Sequence, residues 1–514
     1  MKRFLALLIA IIVIGSVLPA LASAESPKEE ITLKILWPQN SGLRPAQDVS
    51  EVWDYIKAGT GINFERIVVQ DAEQVNLLFA SRDYPDLMAN VGASFTNRQY
   101  AAEAGDLVDL GKYLPDYAPS WQAFFDENPL VYNMELIDGQ LFSLPYLCFN
   151  KYDRGLRDQW LYVYPWLEEV GLDVPTTTDE FKEVLLAIKN AAGTGSIPEN
   201  VIPFYILFDS YVGGQFDILG AFGVVTTTAE YLAVDPDGKV VSNAVNPDII
   251  PALEYIQQLY KLGLIPTECF TDDWNTYLSK VSSNPPVVFS YYSFANRLPA
   301  MTYPMGTLDS GTGKKAYMRP QAYTANPVRS TMVFSKNPYI ERTVEFFEWA
   351  AEYENVVTLC YGLEGVVWDY NEDGKFQLNF WEESQALMNE HAKQLGFNNS
   401  WFSFGTRDLY ENHFYFPASD VVGTREWGYE SFYKDQLPDW DVIFTAGSLD
   451  ADSTAIMAQY DTDITNYRKQ TIANWIMNSS DIRTEWDGYV AQMESLGLSD
   501  ALQLKQQAYD LVHK

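Results

Sequence analysis

Residues 165–190, PWLEEVGLDVPTTTDEFKEVLLAIKN, hold the passage from which the fold is read. Thr177 followed by Glu180 is a capping-box pattern: the threonine side chain accepts the N–H three residues on, and the glutamate reaches back to the threonine N–H. Phe181, Val184, Leu185 and Ile188 then recur at the spacing of one helical face, which predicts a helix over 179–190. Upstream, Ile31, Leu33, Ile35 and Trp37 alternate with polar residues and stop at Pro38, predicting a half-buried or edge-entering strand. Downstream, Asn246 and Pro247 supply a cap and a first-turn proline for Ile249, Leu253, Ile256 and Tyr260, and Gly263 ends that helix. Asn337 and Pro338 repeat the device before Ile340, Val344, Phe347 and Ala351. Short apolar runs at 286–289 and 332–334 read as buried strands. Strands and helices alternate without a fixed repeat, which argues for α/β lobes rather than a solenoid or a sandwich.

The chain has 514 residues, 47% hydrophobic and 15% aromatic, enough for two or more compact units. Lys and Arg number 35 against 69 Asp and Glu, a formal net charge of -34 that repels polyphosphates, so no nucleic acid partner is expected. Lys2 and Arg3, the apolar run 4–17, and Pro19, Ala22, Ser23 and Ala24 form a signal-peptide pattern over residues 1–24, cleaved after Ala24. The apolar run falls short of the roughly 20 residues that cross a bilayer. No cysteine lies near the cleavage point to accept a lipid, so the protein is expected outside the cell, at its surface or released. Cys148, Cys269 and Cys360 are too few and too far apart for a disulfide framework or a zinc site and read as small buried residues.

Catalytic signatures are missing. The chain carries no nucleophile elbow, phosphate loop, dinucleotide turn or His-Glu-x-x-His pair, and its histidines are only His391, His413 and His513. No enzyme activity and no cofactor are expected. A glycosidase needs only two carboxylates, so a secreted glycoside hydrolase stays as an alternative. Asp369, Asn371, Asp373 and Gly374 match the opening of a calcium loop, but its twelfth position is Phe380 instead of glutamate. The alternation of Val366, Trp368 and Phe376, Leu378 around them predicts a hairpin with an Asp-Gly turn, and no metal is expected. Asp235, Asp237, Gly238 and Lys239 read as a second such turn.

The aromatic load of 14 Trp, 33 Tyr and 28 Phe is high. Most must be core, since each ring removes roughly 150–250 Å² from water. Trp274 and Trp401 instead sit in polar stretches, beside Asp272, Asp273 and Asn275 and beside Asn398, Asn399 and Ser400. Flat rings among planar polar groups suit a sugar, whose C–H faces stack and whose hydroxyls take hydrogen bonds.

Several blocks resemble the extracellular solute-binding proteins of bacterial ABC importers, in particular the large sugar-binding type. They are Tyr84-Pro85-Asp86-Leu87, the stretch from Asp138 to Pro145, the stretch from Pro165 to Phe181, the stretch from Tyr260 to Pro266, and Tyr361-Gly362-Leu363-Glu364-Gly365-Val366, all in order along the chain. Where many relatives carry an acidic calcium-suited loop, this chain reads Ala191-Ala192-Gly193-Thr194-Gly195-Ser196-Ile197-Pro198-Glu199. The resemblance implies an α/β, two-lobed periplasmic-binding-protein-like fold of type II with a hinge between the lobes. Mapped on the chain, lobe one is 31–147 plus 285–338 and lobe two is 148–284 plus 339–514. It further implies a monomeric receptor that takes a carbohydrate ligand and delivers it to the permease subunits of an ABC transporter, with a peptide or other solute receptor on the same scaffold as the alternative. Ligands of open α/β sheets bind beyond the carboxyl ends of strands. By that rule the candidate ligand-binding residues are Trp37, Asn40, Asn90, Tyr146, Tyr291 and Tyr292 on lobe one and its crossings, and Arg154, Trp274, Trp368 and Trp401 on lobe two. Trp and Tyr would stack, while Asn40, Asn90 and Arg154 would recognise hydroxyls.

Overall fold

The computed structural model describes residues 29–513 apart from 39–48, 90, 149–155, 209, 211–212, 228–230, 295, 297, 299, 321–324, 381–384, 398–403 and 417–420. The expected signal peptide over 1–24 and the candidates Asn40, Asn90, Arg154 and Trp401 lie outside the described residues. Strand Ile31–Pro38 buries Ile31, Leu33 and Ile35 on one face as the alternation predicts. It pairs in parallel with Ile62–Val69 along its whole length and with Leu87–Met88 on its other side, so it is an interior strand and not a sheet edge. Leu36 and Trp37, one on each face, are both buried.

That strand belongs to a sheet of six, in the order Phe404–Gly405, Ser143–Cys148, Ala325–Val333, Leu87–Met88, Ile31–Pro38, Ile62–Val69. A second sheet orders Thr302–Met305, Gln159–Val163, Val288–Ser293 and Ile202–Tyr205. Each sheet has its own apolar core. Ile35, Trp37 and Leu144 pack with Val344, Phe347 and Val357 from the helices Ile340–Trp349 and Tyr353–Cys360. Trp160, Phe181, Leu185 and Tyr292 pack with Leu253 and Ile256 and with Ile472 and Trp475 of the long helix Ala451–Asn478.

These pairings correct the expected division of the chain. Residues 288–305 belong with the second sheet, because Val288–Ser293 pairs with Gln159–Val163 and Ile202–Tyr205. The described residues between 340 and 414 belong with the first, because their apolar faces cover its core and Phe404–Gly405 extends it beside Ser143–Cys148. Among the described residues the chain therefore alternates between the sheets, with the first up to Cys148, the second from Leu156 to Pro320, the first again from Ala325 to Phe416, and the second core beyond that.

The capping box at Thr177 and both Asp-Gly turns form as read, whereas Asn246 caps a 3-10 turn ahead of the helix Ile250–Lys261 and the helix Ile340–Trp349 follows Tyr339 with no side-chain cap. Thr177 Oγ1 accepts from Glu180 N at 3.2 Å and Glu180 Oε2 accepts from Thr177 N at 3.1 Å, starting the helix Thr178–Asn190. Trp368–Tyr370 and Phe376–Leu378 make an antiparallel hairpin whose Asn371 side chain accepts from Asp373 N and Lys375 N. Asp235 does the same for Asp237 N and Lys239 N between Leu232–Val234 and Val240–Ser242. Cys269 and Cys360 are buried in separate cores. Among the described residues no helix is long and apolar enough to cross a membrane.

Candidate functional site

The ends of the strands that face the crossings define where a ligand would sit. In the second sheet these are the carboxyl ends of Ile202–Tyr205 and Val288–Ser293 and, because it runs antiparallel, the start of Gln159–Val163. At that edge four rings stand in a row. Tyr205 stacks on Tyr277 with centroids 4.8 Å apart and planes 23° apart, and Tyr277 stacks on Trp274 at 5.7 Å and 22°. Trp274 in turn meets Phe294 at 6.1 Å and 31°. Asp273 sets this geometry: its carboxylate accepts Thr276 N at 2.8 Å and starts the helix Trp274–Val281, placing Trp274 on the first turn and Tyr277 one turn inward. Tyr277 is locked by donating to Tyr292 O at 2.7 Å. Gly213, at φ 60°, lets the backbone pass the ring, where a Cβ would lie 2.6 Å from Tyr277 Cζ. Trp274 and Phe294 remain partly exposed at the outer end of the row.

Beside the rings the segments that emerge from the three crossings are tied by arginines. Arg319 donates from Nε to Asp217 Oδ1 at 3.0 Å and from Nη2 to Asp217 Oδ2 at 3.2 Å and Asp158 Oδ2 at 3.0 Å. Arg157 Nη1 donates to Asp158 Oδ1 at 2.8 Å, and its guanidinium stands 5.7 Å from the Phe294 ring. Arg425, which follows the third crossing, donates to Leu156 O at 2.6 Å and to Phe294 O at 2.7 Å. Asp158 and Asp217 are fully buried, and burial, against the pull of Arg319, pushes the Asp217 carboxyl up to about 6. Burial also pushes the hydroxyls of Tyr205 and Tyr277 upward, so both rings stay neutral.

The first sheet has a matching buried knot. Arg98 Nη2 donates to Glu135 at 3.2 Å and to Ser143 Oγ at 2.8 Å, Ser143 donates to Glu135, and Ser330 Oγ donates to Glu135 at 3.0 Å. It pins Ser143–Cys148 to Ala325–Val333, the two strands that lead into crossings. Burial outweighs these partners and raises the Glu135 carboxyl.

The candidate residues fall into groups. Trp274 lies in the ring row, and Tyr146 is half-buried two residues from the end of its strand, opposite Asn326. Four candidates are corrected. Trp37 is packed edge-on against Trp53 and Phe397, with centroids 4.9 and 5.1 Å away. Trp368 is 1% exposed on the core face of its hairpin and donates to Gly362 O at 2.9 Å. Tyr291 and Tyr292 are fully buried inside the second sheet and not on a crossing, since helices cover both of its faces. Tyr277, Phe294, Arg157 and Arg319 were not anticipated. Only Phe294 carried a local signal, as an aromatic residue five positions beyond the predicted strand at 286–289.

The arrangement offers flat apolar faces beside planar polar groups. Among the described residues no three His, Cys, Asp or Glu side chains converge as a metal site would require. Residues 45–357 match the family described as bacterial extracellular solute-binding protein. The fructooligosaccharide ABC transporter substrate-binding protein FusA of Streptococcus pneumoniae serotype 4 is 27% identical over 521 residues, covering 94% of this chain and 91% of FusA. Lipoprotein LipO of Bacillus subtilis is 26% identical over 287 residues, 53% of each chain. The solved structure of the pneumococcal FusA in complex with kestose aligns at a TM-score of 0.81 with 22% identity, over 94% of this chain and 99% of that one.

Proposed function

The chain belongs to the bacterial extracellular solute-binding proteins, with their two-lobed α/β fold of the type II periplasmic-binding-protein kind, and on that premise we propose that it captures an oligosaccharide between its lobes for an ABC importer. The observation that carries this reading is the row Tyr205, Tyr277, Trp274 and Phe294, whose last two rings are partly exposed at the edge of the second sheet. Sugar rings stack on such faces, and the neighbouring planar polar groups take hydroxyls. FusA, by its name a fructooligosaccharide-binding protein, supports short fructose chains as the first ligands to try.

Trp274 stacks on the sugar and Tyr146 reaches it from the first lobe, with Asn40, Asn90, Arg154 and Trp401 as further contacts. Closure follows binding because only the closed state completes contacts from both lobes. The protein makes and breaks no bond. It is exported by the signal peptide over 1–24, works as a monomer, and hands its ligand to permease subunits.

The test uses the chain from Glu25 onward, with thermal midpoint and tryptophan emission followed against kestose, nystose, other mono- and oligosaccharides, and peptides. Ligand at 100 times its dissociation constant adds about 2.7 kcal/mol of stability, so a glycan should raise the midpoint by degrees. A response to peptides with silence across all sugars would overturn the carbohydrate reading. Product formed from any glycan would overturn the binding-only reading.

A further inference from the structure

Gln159 opens the strand Gln159–Val163 and faces Ser293, the last residue of Val288–Ser293. It is 1% exposed, and neither Oε1 nor Nε2 has a hydrogen-bond partner in the protein. Its neighbour Asp158 takes bonds from Arg157, Arg319 and Gly213 N, so the protein satisfies the buried charge next door and leaves this amide unpaired. An unpaired buried amide opposes folding, and an apolar residue of the same shape would avoid that penalty. Register gives the amide a context. Side chains two apart share a sheet face, so Gln159 lies on the face of Leu161, Tyr291 and Tyr205, the face on which Tyr277 stacks. It stands at the sheet edge, two residues nearer the crossings than Leu161.

The geometry points to Gln159 as a ligand-binding residue that reads sugar hydroxyls, its amide giving one donor and one acceptor to a vicinal pair. This rests on the oligosaccharide reading and adds the polar partner to the stacking rings. The amide is 1% exposed, so the groups that cover it give way when a ligand binds. The unpaired amide destabilises the sugar-free protein, and a sugar that pairs with it removes that penalty.

The experiment compares wild type with Gln159→Met, which keeps the length and removes the polar atoms, and Gln159→Asn, which keeps the amide and shortens it. Each is measured for its sugar-free thermal midpoint and for its affinity toward kestose and every other oligosaccharide that shifts the wild type. Gln159→Met should bind about tenfold more weakly or worse, while its sugar-free midpoint holds or rises. Gln159→Asn should fold and also bind more weakly. Unchanged affinity in both variants would overturn the inference and leave the oligosaccharide reading intact, as would a fallen midpoint with normal affinity, the mark of an amide satisfied by internal water. Failure of both variants to fold would overturn it too, by making the side chain structural. If wild type answers no oligosaccharide, the parent reading fails and this one with it.

Discussion

Replacing Arg319 by methionine tests the claim that the arginine knot holds together the base of the crossings. Arg319 is 3% exposed, and the substitution removes every bond it donates to Asp217 and one of those to Asp158. Asp158 keeps Arg157 Nη1 and Gly213 N, whereas Asp217 is left buried without the cation that faces it. Removing one partner of a buried ion pair costs about 3–5 kcal/mol. That cost applies at pH 7. Burial already raises the Asp217 carboxyl, and losing Arg319 drives it higher, so lowering the pH to 5 favours the neutral acid, and does so more in the variant than in wild type. The penalty should then fall to about half. Urea unfolding followed by tryptophan emission and far-UV circular dichroism at the two pH values measures it. In the double variant Arg319→Met/Asp217→Asn the two changes should be strongly non-additive, because the stranded charge is gone. A cost below about 1 kcal/mol at pH 7, or the same cost at both pH values, would refute the reasoning.

Further outcomes follow from the same geometry. Because the Asp217 carboxyl is raised from 3.8 to about 6, its contribution to stability is complete below the ordinary carboxylate range and is lost as pH climbs through 6. Asp217→Asn should flatten that part of a stability-against-pH curve measured by urea unfolding. Trp368→Ala should cost about 3–5 kcal/mol, as for other buried tryptophans, and leave sugar affinity unchanged in titration calorimetry. Gly213→Ala should cost about 2 kcal/mol or more, since it combines a left-handed backbone with a clash on Tyr277. It should also disturb the emission of Trp274.

What the sequence made legible was local. The helix after Thr177 announces itself within four residues, and the Asp-Gly turns declare their hairpins, because the groups that pair are neighbours. Lobe membership is not local. An apolar face on Ile340–Trp349 says that the helix covers a core but not which one, and nothing near Val288 says that its strand will lie against Gln159–Val163. Trp274 stood out because its neighbours are polar. Trp368 misled for the reason that a short hairpin alternates too, and its buried side looks from sequence like its open side. The arginine knot was invisible because Arg319 meets partners 102 and 161 residues away, and no spacing rule reaches that far.

The three passes between the sheets also set a timetable. The first sheet is finished only when Phe404–Gly405 lies down beside Leu147 and Cys148, and the second core needs Trp475 from near the chain's end. Neither half can be completed by an early stretch of chain alone. A polypeptide threaded outward from its amino terminus thus stays short of its native contacts until almost all of it has been delivered, and pairings this distant in sequence form slowly. On the proposal that the chain is exported, that delay would keep it thin enough to translocate and place the burden of maturation on the far side of the membrane.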